Sequence, residues 1–571
     1  MLKNSIGLNS IIKNINHYWT LETPPMDQEI MSFNKSINSL TESLYIFFLS
    51  KFAASRQSFS TQSSAPSASI PISPHYQKLE FDESQYVNTP IIDLDCSILA
   101  ILLTRFKSPK YLSTKYINLY RDVISHLIQQ AETAFNTNDM AKFDHFLMAK
   151  ALLPMVVFSV YTVSKPNDKS IISIVKERLN LVREDNWSSL TISSLCLAKD
   201  DYILRNKINN NSQTADNFSI FSACEKKAIA LISKAEYKKA FNTLFPSNPA
   251  NISEQVINNL VSLHPKRSES NNIPQTLFST DKSLDIVISP ELFRRVVTDK
   301  DNLIAPGLDK NRIDHIKQLI GYETDYVSQS CCESLAKLST FIANGILPHN
   351  YKRFLNLILL FALDASSPER PFKIRPIAQA AEERKIAGTC LLRLHAEKIS
   401  EVFNKVQYGV GTTNGCEKVI HTLRVGQQLH PDWDLLDLDF MNAYNQIVRL
   451  ATAHGLQQKL PALLNYFETF YNDKAPLVLP DRLTSNIYVL LSEEGAQQGD
   501  PEGSLYFSIG VQSIFEEMDT LAKPGFVMSI IDDNNTFGPH DQVVNVLDYI
   551  SNNGPNIGLK LQHDKTKILL P

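Results

Sequence analysis

The sequence contains no hydrophobic run long enough to cross a membrane. A membrane-spanning helix needs about 20 consecutive, mainly apolar residues, and the longest apolar runs, residues 152–163 and 355–363, are much shorter. Residues 1–18 carry lysine and asparagine but lack the apolar core of a secretory signal. We therefore predict a protein without a membrane partner and without a secretory leader.

Cysteine patterns that bind zinc are also missing. The cysteines stand at positions 96, 196, 224, 331, 332, 390 and 416. None of them forms a C-x₂-C pair, and no nearby pair of histidines completes a zinc site. Scattered cysteines of this kind are typical of reduced thiols, so we predict an intracellular protein.

The chain lacks the excess of positive charge that is common in nucleic-acid-binding domains. Its 56 Lys and Arg residues are outnumbered by 60 Asp and Glu residues, which gives a formal net charge of −4. This balance argues against binding through overall charge, but a basic groove on a neutral protein is compatible with it. The motifs G-x-G-x-x-G and G-x-x-x-x-G-K-[ST] are absent, which argues against a P-loop.

Composition and periodicity divide the 571 residues into successive parts. We predict an N-terminal segment with one helix near its end (1–52), a Ser/Pro-rich flexible linker (53–80), a mostly helical region (81–270) and two mixed parts (271–430 and 431–571). The linker composition buries too little apolar surface to offset the entropy of ordering it. Three- and four-residue apolar spacing predicts helices at 92–105, 115–135, 140–159, 170–182 and 225–245.

Two carboxylate-bearing stretches stand out in the C-terminal part. Strand-forming residues flank Asp532 and Asp533, which predicts a β-hairpin with this pair at its tip. A second predicted strand, rich in leucine, ends at Asp439. Such carboxylates can converge on Mg²⁺, which prefers oxygen ligands. Two such ions stabilise the attacking and leaving oxygens of a phosphoryl displacement, so the pattern indicates nucleotidyl transfer.

Other residues suit the binding of a nucleotide. Lys373 and Arg375 alternate on one face of a predicted strand, where they can present two cations to a triphosphate. Taken alone, a solvated strand face explains the pair as well. The glycines beside Gln498 allow a close approach to a ligand. Asp500 is predicted to cap the helix that follows it.

The order of motifs from 305 to 571 resembles that of reverse transcriptases of the non-long-terminal-repeat retrotransposon type. The matching blocks are Pro306-Gly307-Leu308-Asp309, Arg375-Pro376-Ile377, Gln407-Tyr408-Gly409-Val410-Gly411, Asp439 to Tyr444, Gln498-Gly499-Asp500-Pro501, Asp532-Asp533 and Gly558-Leu559 to Lys565. The resemblance covers less than half of the chain. It implies an α+β fold: a polymerase palm of antiparallel sheet backed by helices (431–571) with fingers (271–430), preceded by a mostly α-helical region.

The resemblance also implies an RNA-directed DNA polymerase and its catalytic residues. Asp439, Asp532 and Asp533 are expected to hold two Mg²⁺ ions, with Mn²⁺ as the alternative ion. Lys565 is expected to act near the leaving pyrophosphate as a general acid. The implied partners are an RNA template, a DNA primer and deoxynucleoside triphosphates.

The substrate-binding residues follow from the same resemblance. Lys373 and Arg375 are expected to cradle the triphosphate, and the backbone carbonyl of Phe440 to add a metal ligand. The ring of Tyr444 is expected to lie under the sugar and to leave no room for a 2′-hydroxyl. The remaining contacts, to the incoming nucleotide and the template, are expected from Gln498 and Gly499.

Departures from the family pattern leave other readings open. Ile530 stands where the family has an aromatic residue, Glu502 replaces an apolar one, and no thumb or endonuclease is recognisable before Pro571. A truncated or domesticated copy, weak in catalysis and acting as a nucleic-acid binder, is therefore an alternative. A viral RNA-dependent RNA polymerase normally has Asp in place of Tyr444 and Gly in place of Ile531. An unrelated α/β protein would require every matching block to be accidental.

Overall fold

The structure is a computed structural model, and several of the predicted segments lie outside the residues that it describes. It describes residues 76–162, 169–199, 249–278, 285–301, 305–321, 325–366, 372–403, 405–481 and 483–571, with isolated positions between 225 and 243. The predicted helix near the end of 1–52 and most of the predicted linker are outside this range. The predicted helix at 225–245 is described only in part.

Helices dominate the first half of the described residues and recur between the strands of the second half. The α-helices are α1 (Cys96–Leu102), α2 (Ile117–Asn136), α3 (Met140–Phe158), α4 (Lys169–Arg183), α5 (Glu254–Leu263), α6 (Pro290–Asp299), α7 (Ile313–Ile320), α8 (Tyr326–Ala343), α9 (His349–Leu355), α10 (Glu382–Leu394), α11 (Ala396–Phe403), α12 (Gly415–Leu429), α13 (Ala443–Gln446), α14 (Arg449–Lys459), α15 (Leu464–Phe467), α16 (Gly503–Leu521) and α17 (His540–Asn553).

The strands of the described residues form two sheets. They are β1 (Tyr76–Lys78), β2 (Ile358–Asp364), β3 (Ile374–Gln379), β4 (Asp434–Leu438), β5 (Ala475–Pro480), β6 (Ile487–Ser492), β7 (Phe526–Ile530), β8 (Asp533–Gly538) and β9 (Lys567–Leu569). The first sheet has the order β1-β6-β5-β2-β3, in which β2 and β5 are parallel, and the second has the order β7-β8-β4-β9. The fold class is therefore mixed α+β, as predicted.

The helix α3 forms the centre of the N-terminal helical region. Its apolar residues surround the helix rather than lining one face, which is typical of a helix buried on all sides. The stretch Met140–Tyr161 has the length and composition of a membrane span, but 83% of its most apolar window is buried inside the protein. Pro154 lies within α3 without ending it. The apolar helix therefore extends on both sides of this proline and is longer than the apolar run at 152–163.

The N-terminal helices and the helices after residue 285 share one hydrophobic core. Arg121 on α2 is mostly buried and joins the two parts. Its Nε donates to the carbonyl of Leu319 at 2.8 Å, its Nη2 donates to the carbonyl of Gln318 at 2.7 Å, and its Nη1 pairs with Asp325 at 3.1 Å. The carbonyls at the end of α7 are thus satisfied by a side chain of α2.

Two segments differ from their predicted assignment. Residues 76–78, placed in the flexible linker 53–80, form strand β1, so the predicted end of the linker is wrong. The strand forms because β6 supplies a partner, with Tyr76 opposite Leu490 and its ring 6.0 Å from that of Tyr488. The strands β5 and β6 belong to the predicted part 431–571 but lie in the sheet of β2 and β3.

Replacing Arg121 by alanine should lower the free energy of unfolding by about 3 kcal/mol, because it leaves buried carbonyls and Asp325 without their partner. The matched control is Arg183→Ala, which breaks the exposed pair with Asp122 at 3.0 Å and should change stability by less than about 1 kcal/mol. Urea denaturation measures both. Equal effects of the two substitutions would contradict the joining role of Arg121.

Candidate functional site

The site is built around strand β4, which lies between β8 and β9. Leu438, the last residue of β4, faces Asn534 of β8, and Asp437 faces Lys567 of β9. The alternation of a strand sends Leu436 and Leu438 into the core and turns the residues between them to the other face. Asp439 follows directly after β4, as the sequence predicted, and emerges beside the start of β8.

The strands β7 and β8 form the predicted hairpin. Ile530 faces Asp533 across the two-residue turn Ile531-Asp532. Asp532 therefore lies in the turn, and Asp533 is the first residue of β8. Below the turn, the buried Asn534 donates its amide to the hydroxyl of Ser529 at 2.8 Å, which ties the two strands together at a buried polar pair.

The carboxylate of Asp439 is held by a lysine from the end of the chain. The Nζ of Lys565 lies 2.9 Å from Oδ1 and 2.8 Å from Oδ2, and both side chains are about one-third exposed. The turn that carries Lys565 is fixed by the amide of Gln562, which donates to the carbonyl of Asp439 at 2.8 Å. The predicted catalytic residues Asp439 and Lys565 are thus direct partners.

The aspartates are close enough to affect one another's ionisation. Burial raises the pKa of Asp532, and the charges of Asp533 and Asp439 raise it further, while Lys565 lowers it. The pKa of Asp437 is also raised, by partial burial and then by the charge of Asp533. Asp437 was not among the predicted site residues. Its position two residues before Asp439 was the available signal, because residues i and i+2 share a strand face.

These residues suit a divalent cation in kind, but their arrangement is not that of a metal cluster. Carboxylates that raise one another's pKa favour a nearby positive charge, and oxygen is the ligand that Mg²⁺ prefers. Among the described residues, however, no group of three or more His, Cys, Asp or Glu is arranged to hold a metal ion. The cation that contacts Asp439 is the ammonium group of Lys565.

The predicted sugar-contacting residue is anchored beside this cluster. The ring of Tyr444 stacks on that of Phe507, with centroids 5.1 Å apart, and its hydroxyl lies 2.9 Å from that of Ser504. Burial raises the pKa of Tyr444, and the charge of Asp532 adds to the increase, which places the ring near the hairpin turn. The side chain of Phe440, whose backbone carbonyl was the expected metal ligand, is buried.

The remaining predicted substrate residues meet at the edge strand β3. Arg375 lies in β3 on the exposed face opposite the buried Ile374, as predicted. Lys373 precedes the strand instead of lying in it. The carbonyl of Gln498 accepts a hydrogen bond from the amide of Ala378 at 3.1 Å.

The loop of Gln498 also connects β3 with the aspartate cluster. A Cβ on Gly499 would lie 2.2 Å from the carbonyl oxygen of Ala378, so only glycine fits there. Two residues before Gln498, the amide of Ala496 donates to the carbonyl of Tyr444 at 2.7 Å. The loop thus links the strand of Arg375 to the residue beside Asp532.

The prediction that Asp500 caps the following helix is wrong. The helix α16 begins at Gly503, with Glu502 at the cap position and no side-chain cap. Asp500 is buried instead, where it pairs with Arg384 and accepts a hydrogen bond from the hydroxyl of Tyr471 at 2.9 Å. Local helix-start rules do not foresee this, because Arg384 is far away in the sequence.

Glu502, which directly precedes α16, is fully buried. Among the described residues, neither of its carboxylate oxygens accepts a hydrogen bond from another residue. Burial and then the charge of Asp500 raise its pKa to about 8. Gly388 makes room for it, since a Cβ at that position would overlap Oε1 of Glu502.

Comparison with protein-family models and with curated proteins gives no match. Among solved structures, an apo telomerase from Candida tropicalis, truncated from the C-terminal domain, matches with a TM-score of 0.27 and 12% identity. The match covers 38% of this chain and 50% of the telomerase chain. A similarity this low supports no statement about the activity of this chain.

Replacing Glu502 by glutamine should change how stability depends on pH. A carboxyl group with a pKa of about 8 in the folded protein and an ordinary pKa near 4.5 when unfolded binds its proton more tightly in the folded state. It therefore favours folding below pH 4.5, and this contribution is lost as the pH rises through 8. Chemical denaturation at pH 5 and pH 8 should show a steeper loss of stability for the native chain than for Glu502→Gln.

The matched control for this experiment is Glu517→Gln, a substitution at an exposed position of α16, the helix that Glu502 precedes. It should keep the pH dependence of the native chain, because it leaves the buried carboxyl group at position 502 in place. Identical pH profiles for Glu502→Gln and the native chain would show that the carboxyl group at 502 is not protonated in the folded protein at pH 7.

Proposed function

We propose that the chain is a reverse-transcriptase-like nucleotidyltransferase that extends a DNA primer on an RNA template. In this proposal the sheet β7-β8-β4-β9 is the palm of a polymerase, and β2 and β3 belong to its fingers. The reaction joins the 3′-hydroxyl of the primer to the α-phosphate of a deoxynucleoside triphosphate and releases pyrophosphate. The proposal rests on the ordered sequence blocks and on the site geometry together.

The observation that carries the proposal is the convergence of Asp439, Asp532 and Asp533 from two separate segments. Asp439 ends the central strand, and the other two stand at the neighbouring hairpin turn. Their mutual effect on ionisation supports the idea that the site accepts a positively charged group. Carboxylates that come from separate chain segments and lie near the ends of adjacent strands are the kind of ligand that a metal-dependent phosphoryl transfer uses.

Asp439 and Asp532 are the residues that would hold Mg²⁺ or Mn²⁺, with Asp533 beside them. When bound, such ions neutralise the charge that develops on the phosphate oxygens. Each oxygen of Asp439 keeps a lone pair that could be shared with such an ion while the ammonium of Lys565 contacts it. In the proposal, Lys565 would donate a proton to the departing pyrophosphate.

Tyr444 and β3 give the proposal its substrate contacts. The ring of Tyr444 is fixed by Phe507 and Ser504, so it can exclude a 2′-hydroxyl by its bulk. Lys373 and Arg375 would bind the triphosphate from β3, and the loop at Gln498 would support the nucleotide between them and the aspartates. Guanidinium and ammonium groups are the usual partners of phosphate oxygens.

A second candidate function is nucleic-acid binding with little or no catalysis, as in a truncated or domesticated element. The ion pair between Asp439 and Lys565 favours it, because a carboxylate already neutralised by lysine attracts a metal ion less strongly. The two candidates differ in one measurable respect, which is metal-dependent incorporation of nucleotides on a bound template and primer.

Replacing Asp532 by asparagine should lower primer extension on an RNA template with Mg²⁺ by at least about 1,000-fold, because a group that stabilises the developing charge is lost. The control is Asp541→Asn at an exposed position of α17, which should leave the rate unchanged. Template–primer affinity should be similar for all three proteins. Full incorporation by Asp532→Asn, or none by the native chain, would refute the polymerase proposal, and the second outcome with retained binding would favour the second candidate.

Replacing Tyr444 by valine should increase the use of ribonucleotides relative to deoxynucleotides by about 10- to 100-fold, because a smaller side chain no longer excludes the 2′-hydroxyl. The control Tyr444→Phe keeps the ring and its stacking on Phe507 while losing the hydroxyl contact with Ser504, so it should keep the native selectivity. Competition between the two nucleotide types measures the ratio. Unchanged selectivity in Tyr444→Val would contradict the proposed role of the ring.

A further inference from the structure

Gln407 contacts the turn that carries Asp532 through both ends of its side-chain amide. Its Oε1 accepts a hydrogen bond from the amide of Ile531 at 2.7 Å, and its Nε2 donates to the carbonyl of the same residue at 3.0 Å. Oε1 also accepts from the amide of Gly409 at 2.9 Å. The side chain is completely buried, so water cannot replace these bonds.

The turn that Gln407 contacts has a strained backbone. Ile531 has φ of +60°, a conformation that is common for glycine and exceptional for a β-branched residue. Such conformations persist only where the surrounding structure enforces them, and they cluster at functional sites. The residue after Ile531 is Asp532, so the strained backbone sets the direction of that carboxylate.

The segment around Gln407 is fitted to the hairpin over several residues. The amide of Tyr408 donates to the carbonyl of Ser529 at 2.8 Å, and the amide of Ser529 donates to the carbonyl of Val406 at 2.8 Å. These bonds align the segment with β7 up to the turn. A Cβ on Gly409 would lie only 2.7 Å from the backbone nitrogen of Ile531, so glycine allows this close approach.

We propose that Gln407 is a positioning residue for the proposed polymerase reaction: its amide holds Ile531 in the strained conformation that directs Asp532 towards Asp439. The inference rests on the function proposed above and adds a role for the block Gln407-Tyr408-Gly409, to which neither the sequence pattern nor that function assigns one. Gln407 does not contact the reacting groups and acts only through the turn.

Activity measurements test this role with Gln407→Ala and the control Gln427→Ala, a glutamine exposed on α12. Gln407→Ala should lower kcat by about 100-fold, the effect expected when a reacting group is displaced by about 1 Å. The KM for the nucleotide and the affinity for template and primer should stay within a few-fold of the native values, since Gln407 touches neither. A native kcat in Gln407→Ala would overturn the proposal.

A second substitution separates positioning from a general loss of structure. In Gln407→Ala/Ile531→Gly, glycine adopts positive φ without strain, so the turn no longer needs the amide to hold it. We expect the double variant to recover at least about tenfold in kcat over Gln407→Ala, against little change for Ile531→Gly alone. A double variant as slow as Gln407→Ala would show that the amide does not act through the backbone of residue 531.

Hydrogen exchange tests the inference without any catalytic readout. In the native chain the amide of Ile531 is bonded to Gln407, so the peptide spanning 528–534 should exchange about tenfold faster in Gln407→Ala and at the native rate in Gln427→Ala. This result would support the positioning role even if the native chain incorporates no nucleotide, a case that refutes only the proposed function. Unchanged exchange in Gln407→Ala would overturn the inference.

Discussion

The site depends on the register of β4 against both of its neighbours. Pairing with β8 sets Asp439 level with the start of that strand, and pairing with β9 brings the turn of Lys565 alongside. A shift of one residue in either pairing would exchange the two faces of β4 and direct Leu438 outwards and Asp439 towards the core. Burial of the leucines of β4 therefore fixes the position of the carboxylates, and hydrophobic packing determines where the charges lie.

Local sequence patterns predict the parts of this site whose structure is decided locally. The hairpin at Asp532 and the strand that leads to Asp439 follow from alternation and turn residues, and so does the exposed position of Arg375. The pairing of Asp439 with Lys565 does not, since it joins residues 126 positions apart. Local patterns specify which side chains a strand presents, but not which distant segment meets them.

The wrong prediction for Asp500 has the same cause. Asp500 has the features of a helix cap in its own sequence neighbourhood, yet it is buried beside Arg384. A buried guanidinium needs a carboxylate partner, because an unpaired buried charge is strongly destabilising. The block at Gln407 is rich in glycine without the pattern of a P-loop, and the structure shows that Gly409 provides room for a neighbouring backbone. Glycine marks a close approach without identifying what approaches.

The short strand β1 has a consequence for how this chain can be divided. It covers the outer side of β6, so a fragment starting at residue 81 would leave the backbone amides and carbonyls of β6 open to solvent. Exposed strand edges of this kind pair with other chains and promote aggregation. The segment that resembles a spacer in composition is thus, at its last residues, the cover that protects the first sheet from self-association.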